Sequence, residues 1–269
     1  MVHPYFDVPV PIVIGHRGCA GEAPENTLAA FESGLAAGAA ILESDIHLSR
    51  DGVPVLIHDD VVDRVTEGTG SVADLSLDEI QRLDAGHRFT RDGGRTFPFR
   101  GRGVRIPTFE EALRAFPGVR FNIEIKSDRP GSVEATVDLV MRNRREASTL
   151  LTAAEEPLMS RLRRHLAERD APLAQGACTA DVLAVIRSCA DGSKPDTPAM
   201  ALQIPDEFAG RPLITPALVE HAHRYGIQIH VWTVNETDAM ASLLDLGVDG
   251  LVTDYPARML ALIAARRAR

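Results

Sequence analysis

Eight short apolar runs recur along the chain, and nearly every one is followed by a segment with helical spacing. They fall at residues 10–14, 41–48, 121–126, 148–152, 172–177, 199–204, 227–234 and 250–254. Helical patterns fill most of the gaps, from Leu28 to Ala39 after the first run to a terminal helix after the last. Strands that alternate with helices pair parallel, because a crossover between parallel strands needs a dozen residues or more. Eight such units in 269 residues predict a (β/α)8 TIM barrel. No linker, repeat or low-complexity segment interrupts residues 1–269, so one domain is expected. Helix starts are marked by Asn26 or Thr27, by capping boxes at Ser76–Glu79 and Thr108–Glu111, and by Pro216.

One connection breaks the pattern. Ser49-Arg50-Asp51-Gly52 separates the second run from residues 53–57. Four residues hold no crossover, and Asp-Gly is a hairpin signal. The second strand is therefore expected to turn and return, bringing His58 back beside Glu43 and Asp45. Residues 61–107 contain no good buried strand. They read as a long insertion, either one rim of a site or a solvated excursion.

Charge and composition exclude several classes. The net charge of −9 and the lack of a basic cluster argue against a nucleic-acid surface. No window is long and apolar enough to span a membrane, and no signal peptide is recognisable. The three cysteines, Cys19, Cys178 and Cys189, read as reduced thiols of a cytoplasmic protein, with Cys19 a small apolar filler. The residues carry no signal of oligomeric state.

Polar side chains collect where strands end, which is where parallel α/β folds place their sites. Glu43, Asp45 and Glu124 offer three hard oxygen donors on adjacent strands, a set suited to Mg²⁺ or Ca²⁺. Asn122, Glu124 and Lys126 alternate with Phe121, Ile123 and Ile125, so the three polar residues share one face. His16 and His58 are zinc ligands in one reading. With the carboxylates holding a hard cation, they suit a general acid and base instead. Arg17 and Lys126 suit phosphate oxygens. Metal, two histidines and two cations together describe hydrolysis of a phosphate ester.

These residues stand in motifs. His16-Arg17-Gly18, Pro24-Glu25-Asn26-Thr27, Glu43-Ser44-Asp45, Asp51-Gly52 through His58-Asp59, Glu124-Ile125-Lys126, Trp232-Thr233-Val234-Asn235 and Thr253-Asp254 follow one another in order. In this the chain resembles the glycerophosphodiester phosphodiesterase family over nearly its whole length. The resemblance implies hydrolysis of a glycerophosphodiester to glycerol 3-phosphate and an alcohol. It implies a divalent metal on Glu43, Asp45 and Glu124, His16 and His58 as the acid–base pair, and Arg17 and Lys126 on the phosphate. Trp232 would line the pocket, with barrel core as its alternative place. Glu25 and Asn26 would shape their loop. His47, His87, His230 and Asp254 are expected to be structural or surface groups. Two departures bear on substrate choice. Asp60 stands where the family usually has Pro, and Ala153-Ala154 where it commonly has Ser-Phe. A lysophospholipase D or phosphoinositide-type phosphodiesterase is the nearest rival, with Phe89, Phe97 and Phe99 as an apolar rim. A non-catalytic phosphate-binding barrel is the rival from another class.

Overall fold

A computed structural model describes residues 3–268. Its strands are β1 Ile12–Gly15, β2 Ile41–Leu48, β3 Pro54–Leu56, β4 Arg120–Ile125, β5 Thr149–Thr152, β6 Ala174–Gln175, β7 Ala201–Pro205, β8 Glu207–Phe208, β9 Arg211–Pro212, β10 Gln228–Trp232 and β11 Gly250–Thr253. Its helices are α1 Leu28–Ala36, α2 Leu77–Gln81, α3 Phe109–Ala115, α4 Ser132–Arg142, α5 Glu156–Glu168, α6 Thr179–Asp191, α7 Pro216–Arg224, α8 Thr237–Asp245 and α9 Pro256–Arg267. Eight strands run parallel in the order β6-β5-β4-β2-β1-β11-β10-β7. A single parallel bridge, Gly176 to Ala201, joins the two ends. The result is the expected eight-stranded barrel ringed by helices.

The strand interiors explain the closure. Ile12, Ile14, Ile41, Leu150, Ala174, Ala201 and Val252 form one buried cluster. They come from six different strands, and only the barrel interior lets such residues meet. Tyr5 and Phe6, on a short 3-10 turn ahead of β1, join that cluster and cap its lower end. Outside, Phe121, Ile123 and Ile125 of β4 pack with Val133, Val137 and Val140 of α4. The alternation expected for β4 therefore holds, with its polar face turned inward.

The strand boundaries shift where proline intervenes. β1 begins at Ile12 rather than residue 10, since Pro11 has no N–H to donate and Val10 is exposed. β6 shrinks to two residues behind Pro172. The hairpin forms as expected, with β3 antiparallel to β2, but its register places Ile46 opposite Leu56. The Asp45 main-chain carbonyl thus accepts from the Ile57 N–H, and His58 comes one residue later than symmetric counting from the turn suggests. The ladder ends at Leu56, so His58 leaves the sheet and is free of its pleat. The β8–β9 hairpin at Glu207–Pro212 was not expected from the sequence.

Residues 61–107 fold as a small satellite. Both capping boxes form, at Ser76 with Glu79 and at Thr108 with Glu111. Val62, Val72, Ile80, Ala85 and Ile106 make a separate core against Val55 and Ile57 of the hairpin. Among the described residues, no helix is long and apolar enough to cross a membrane.

Candidate active site

The C-terminal ends of the barrel strands surround a cavity of about 330 Å³ lined by His16, Arg17, Glu43, Asp45, His58, Asn122, Glu124, Lys126 and Trp232, among others. Every site residue expected from the sequence is brought there. Trp232 stands at the end of β10 and is 44% exposed, which places it on the rim and not in the core.

The carboxylates are set by register. Glu43 and Asp45 are two apart on β2 and so share a face. Glu43 is paired with Asn122 and Asp45 with Glu124 across the parallel β2–β4 ladder. Like charges directly opposite one another repel. Lys126 sits between them, with Nζ 2.9 Å from Glu124 Oε2 and 3.4 Å from Asp45 Oδ1. Burial works against the ammonium, but Asp45 and Glu124 outweigh it and raise the Lys126 pKa. Glu43 lacks such a partner. Burial and then the Asp45 charge push its carboxyl up to about 7. Burial likewise raises Glu124, against Lys126.

Arg17 adopts a left-handed backbone at φ 46°, which few non-glycine residues do. That conformation turns its N–H to Glu43 Oε2 at 2.9 Å, while its guanidinium donates to Glu25 at 2.8 Å and lies 3.5 Å from Asp45. Gly18 follows at φ 92°, and a Cβ there would come within 2.6 Å of Ala30 in α1. The His16-Arg17-Gly18 turn is thus wedged against α1 by a residue with no side chain. Asn26, also left-handed at φ 57°, donates from Nδ2 to Asp45 Oδ2 at 3.1 Å and accepts from Ser44 at 2.6 Å. The Glu25-Asn26 loop therefore orients the site's charged groups directly.

Each histidine has its own carboxylate. His16 Nδ1 lies 2.6 Å from Asp254 Oδ1, and His58 Nδ1 lies 2.7 Å from Asp59 Oδ1. In both rings Nε2 is the nitrogen left for chemistry. Burial disfavours the His16 cation, but the Asp254 hydrogen bond and the Glu43 charge outweigh it and raise its pKa. Asp254 is held in turn by Asn235, whose Nδ2 donates to Oδ2 at 2.6 Å and whose Oδ1 accepts from the Asp254 N–H. This corrects the expectation that Asp254 is a structural or surface group. Its position one residue past β11 was the available signal. His47 and His230 meet that expectation: both are buried, His47 beside the His58 carbonyl and His230 beside Gln228 and Phe6. Cys19 is buried, as a filler would be.

The long insertion contributes no cavity wall. It supplies Arg64 instead, a residue that no local pattern singled out. Phe89, Phe97 and Phe99 are half-buried and not among the residues lining the cavity: Phe89 packs edge-on against Phe99 at 5.3 Å, and Arg100 covers Phe97. Beside Trp232, the other exposed aromatic among the described residues is Phe208 of the β8–β9 hairpin, 71% accessible. That hairpin begins two residues after Pro205, the register partner of Trp232.

Among the described residues, no group of three or more His, Cys, Asp or Glu side chains is spaced to hold a metal ion. The donors fit a hard divalent cation in kind. All are carboxylates, and Glu43 and Asp45 share one face of β2 while Asp45 stands opposite Glu124 on β4.

The model of the glycerophosphoryl diester phosphodiesterase family matches residues 16–258. The chain is 32% identical over 260 residues to a glycerophosphodiester phosphodiesterase of Caldanaerobacter subterraneus subsp. tengcongensis, covering 94% of this chain and 97% of that one. It is 27% identical over 271 residues to Lysophospholipase D GDPD1 of Homo sapiens, covering 91% and 84%. An Oleispira antarctica phosphodiesterase, solved in complex with the product sn-glycerol-3-phosphate, superposes with a TM-score of 0.78 at 25% identity, covering 97% of this chain and 99% of that one.

Proposed function

Because the chain belongs to the glycerophosphoryl diester phosphodiesterase family, and so is an enzyme of that class, we propose that it hydrolyses glycerophosphodiesters by metal-dependent catalysis with His16 and His58 as the acid–base pair. The observation that carries this reading is the pair of histidines, each tied at Nδ1 to a carboxylate, in one cavity with Arg17 and Lys126.

The residues divide the work. Arg17 and Lys126 attract and orient the anionic phosphodiester. One histidine takes a proton at Nε2 from the attacking oxygen. The other delivers one from Nε2 to the leaving alkoxide, so the proton count is unchanged. Asp254 and Asp59 fix the ring orientations, and Asp254 also favours the protonated form of His16. Glu43, Asp45 and Glu124 would hold a divalent cation, Mg²⁺ or Ca²⁺, which when bound neutralises phosphate charge and polarises the P–O bond.

The test is release of glycerol 3-phosphate from glycerophosphocholine and glycerophosphoethanolamine, with chelator and then with Mg²⁺ or Ca²⁺ restored. We expect release only with metal, and His16→Ala and His58→Ala to lose about 10²–10⁴-fold in kcat while staying folded. Wild-type turnover by His16→Ala overturns the acid–base assignment.

A second reading, an acyl-bearing lysophospholipid as substrate, is favoured by the two exposed aromatic residues among those described: Trp232 at the end of β10, and Phe208 in the hairpin that follows its neighbour β7. It requires faster turnover of lysophosphatidylcholine than of glycerophosphocholine. It also requires a selective loss of that turnover in Phe208→Ala.

A further inference from the structure

Outside the cavity wall, one side chain links both arms of the site. Arg64 presents its guanidinium to two carboxylates. Nε and Nη2 reach Asp59 at 2.5 and 3.1 Å, and Nη1 and Nη2 reach Glu25 at 2.7 Å each. Asp59 is the partner of His58, and Glu25 is the partner of Arg17. The chain of contacts runs His58–Asp59–Arg64–Glu25–Arg17 with no step longer than 2.8 Å when the shorter contact of each pair is taken. We propose that Arg64 is a positioning residue for the hydrolysis, a two-sided clasp that fixes the imidazole of His58 and the guanidinium of Arg17 relative to each other. This rests on the roles given to His58 and Arg17 above.

An ordinary surface ion pair contributes little, and Arg64 is 46% exposed. Three observations set it apart. Both contacts are two-pronged, the geometry that carries direction as well as energy. Its two partners are themselves only 19% and 24% exposed and already committed to site residues. Its backbone is anchored: Val62 is fully buried in the satellite core, and Thr66 folds back to the Val62 carbonyl through both N–H and Oγ1. Arg64 is thereby held in a closed turn and directed at the mouth. The charges agree with the geometry. Arg64 first, with burial opposing and His58 assisting, lowers Asp59 to about 2. Burial would raise Glu25, but Arg64 and Arg17 lower it. The clasp keeps both carboxylates ionised and able to orient their cationic partners. It also gives residues 61–107 a role: through Arg64 they brace both arms of the site.

The experiment compares Arg64→Ala, Arg64→Lys, Asp59→Asn and the Arg64→Ala/Asp59→Asn double variant, with glycerophosphodiester, metal and intact full-length protein. Misplacement of a catalytic group by about 1 Å costs on the order of 10²-fold. We expect Arg64→Ala to lose about 10–100-fold in kcat/KM and Arg64→Lys to recover little of it, since an ammonium cannot fork to both sides. Millimolar guanidinium should restore Arg64→Ala while leaving wild type unchanged, with NaCl of equal ionic strength as the control. The double variant should cost less than the product of the two single losses, because both act through His58. Wild-type kcat/KM in Arg64→Ala overturns the proposal, as do fully multiplicative losses without guanidinium rescue. Should Arg64→Ala fail to fold, Arg64→Lys decides: wild-type activity there overturns the clasp, and a loss in folded protein supports it. An inactive wild type would instead count against the function proposed above.

Discussion

At the residue scale, the site is a set of paired charges whose members stand in separate motifs and whose pairing was supplied by the fold. His16 with Asp254, 238 positions apart, is the clearest case. Burial opposes the imidazolium, the Asp254 hydrogen bond and Glu43 outweigh it, and the pKa rises above 6.5. A group raised in the folded state contributes stability that is complete below its unfolded value and is lost as pH climbs through the folded value. Asp254→Asn should therefore lower Tm most near pH 6, with the gap to wild type closing at pH values above the raised pKa. Thermal melts from about pH 5 to 9 read this directly. A gap that stays constant would mean that the pair is not ionised. In activity, Asp254→Asn should lose about 10²–10⁴-fold in kcat, since an amide permits the wrong tautomer of His16. Equal kcat in the variant would remove Asp254 from the site.

At the element scale, close backbone approach positions the His16-Arg17-Gly18 turn. Gly34 of α1 packs so tightly that an added Cβ would lie 2.6 Å from the Gly18 carbonyl oxygen. Gly34→Ala should gain helix propensity yet destabilise by about 1–3 kcal/mol through overpacking. The shift of the turn should also lower kcat/KM by about tenfold or more. Urea unfolding and steady-state kinetics separate the two effects. A stabilised, fully active Gly34→Ala would show that α1 moves away without cost. The β2–β3 hairpin is the second element on which the site depends. Its register leaves His58 beyond the ladder, so hairpin and satellite core together, not strand pairing alone, decide where that ring sits.

At the scale of the whole molecule, charge balance is the governing quantity. Glu43, Asp45 and Glu124 face one cavity with Lys126 shared between two of them, and Glu43 rises to about 7. A bound divalent cation would offset the mutual repulsion of the three carboxylates and the burial of Glu43. Mg²⁺ or Ca²⁺ at about 100 times its Kd should therefore raise unfolding stability by about 2.7 kcal/mol. Glu43→Gln should remove most of that gain. Differential scanning calorimetry with chelator and with added cation measures it. No shift with either ion at saturating concentration would sink the assignment of these three residues to a metal.

The local sequence was enough to specify the barrel, the hairpin, both capping boxes and the charged residues and histidines of the cavity, while Trp232 came from the family resemblance and Thr152, Gln203 and Thr233 in the lining were not foreseen. Apolar periodicity, turn chemistry and side-chain alternation act over a few residues and are written in order along the chain. The partners of those residues were not readable in the same way. Asp254 meets His16 across 238 positions and Arg64 meets Glu25 across 39. Such encounters depend on barrel closure and on the packing of residues 61–107, which no short window contains. Pro11 and Pro172 trimmed strands for a local reason that was present in the sequence. The one-residue register of His58 and the emergence of Phe208 in place of the Phe89–Phe99 rim were different. They were decided by which side chains found buried partners once the molecule had closed, because burial is a property of the assembled core and not of the residue.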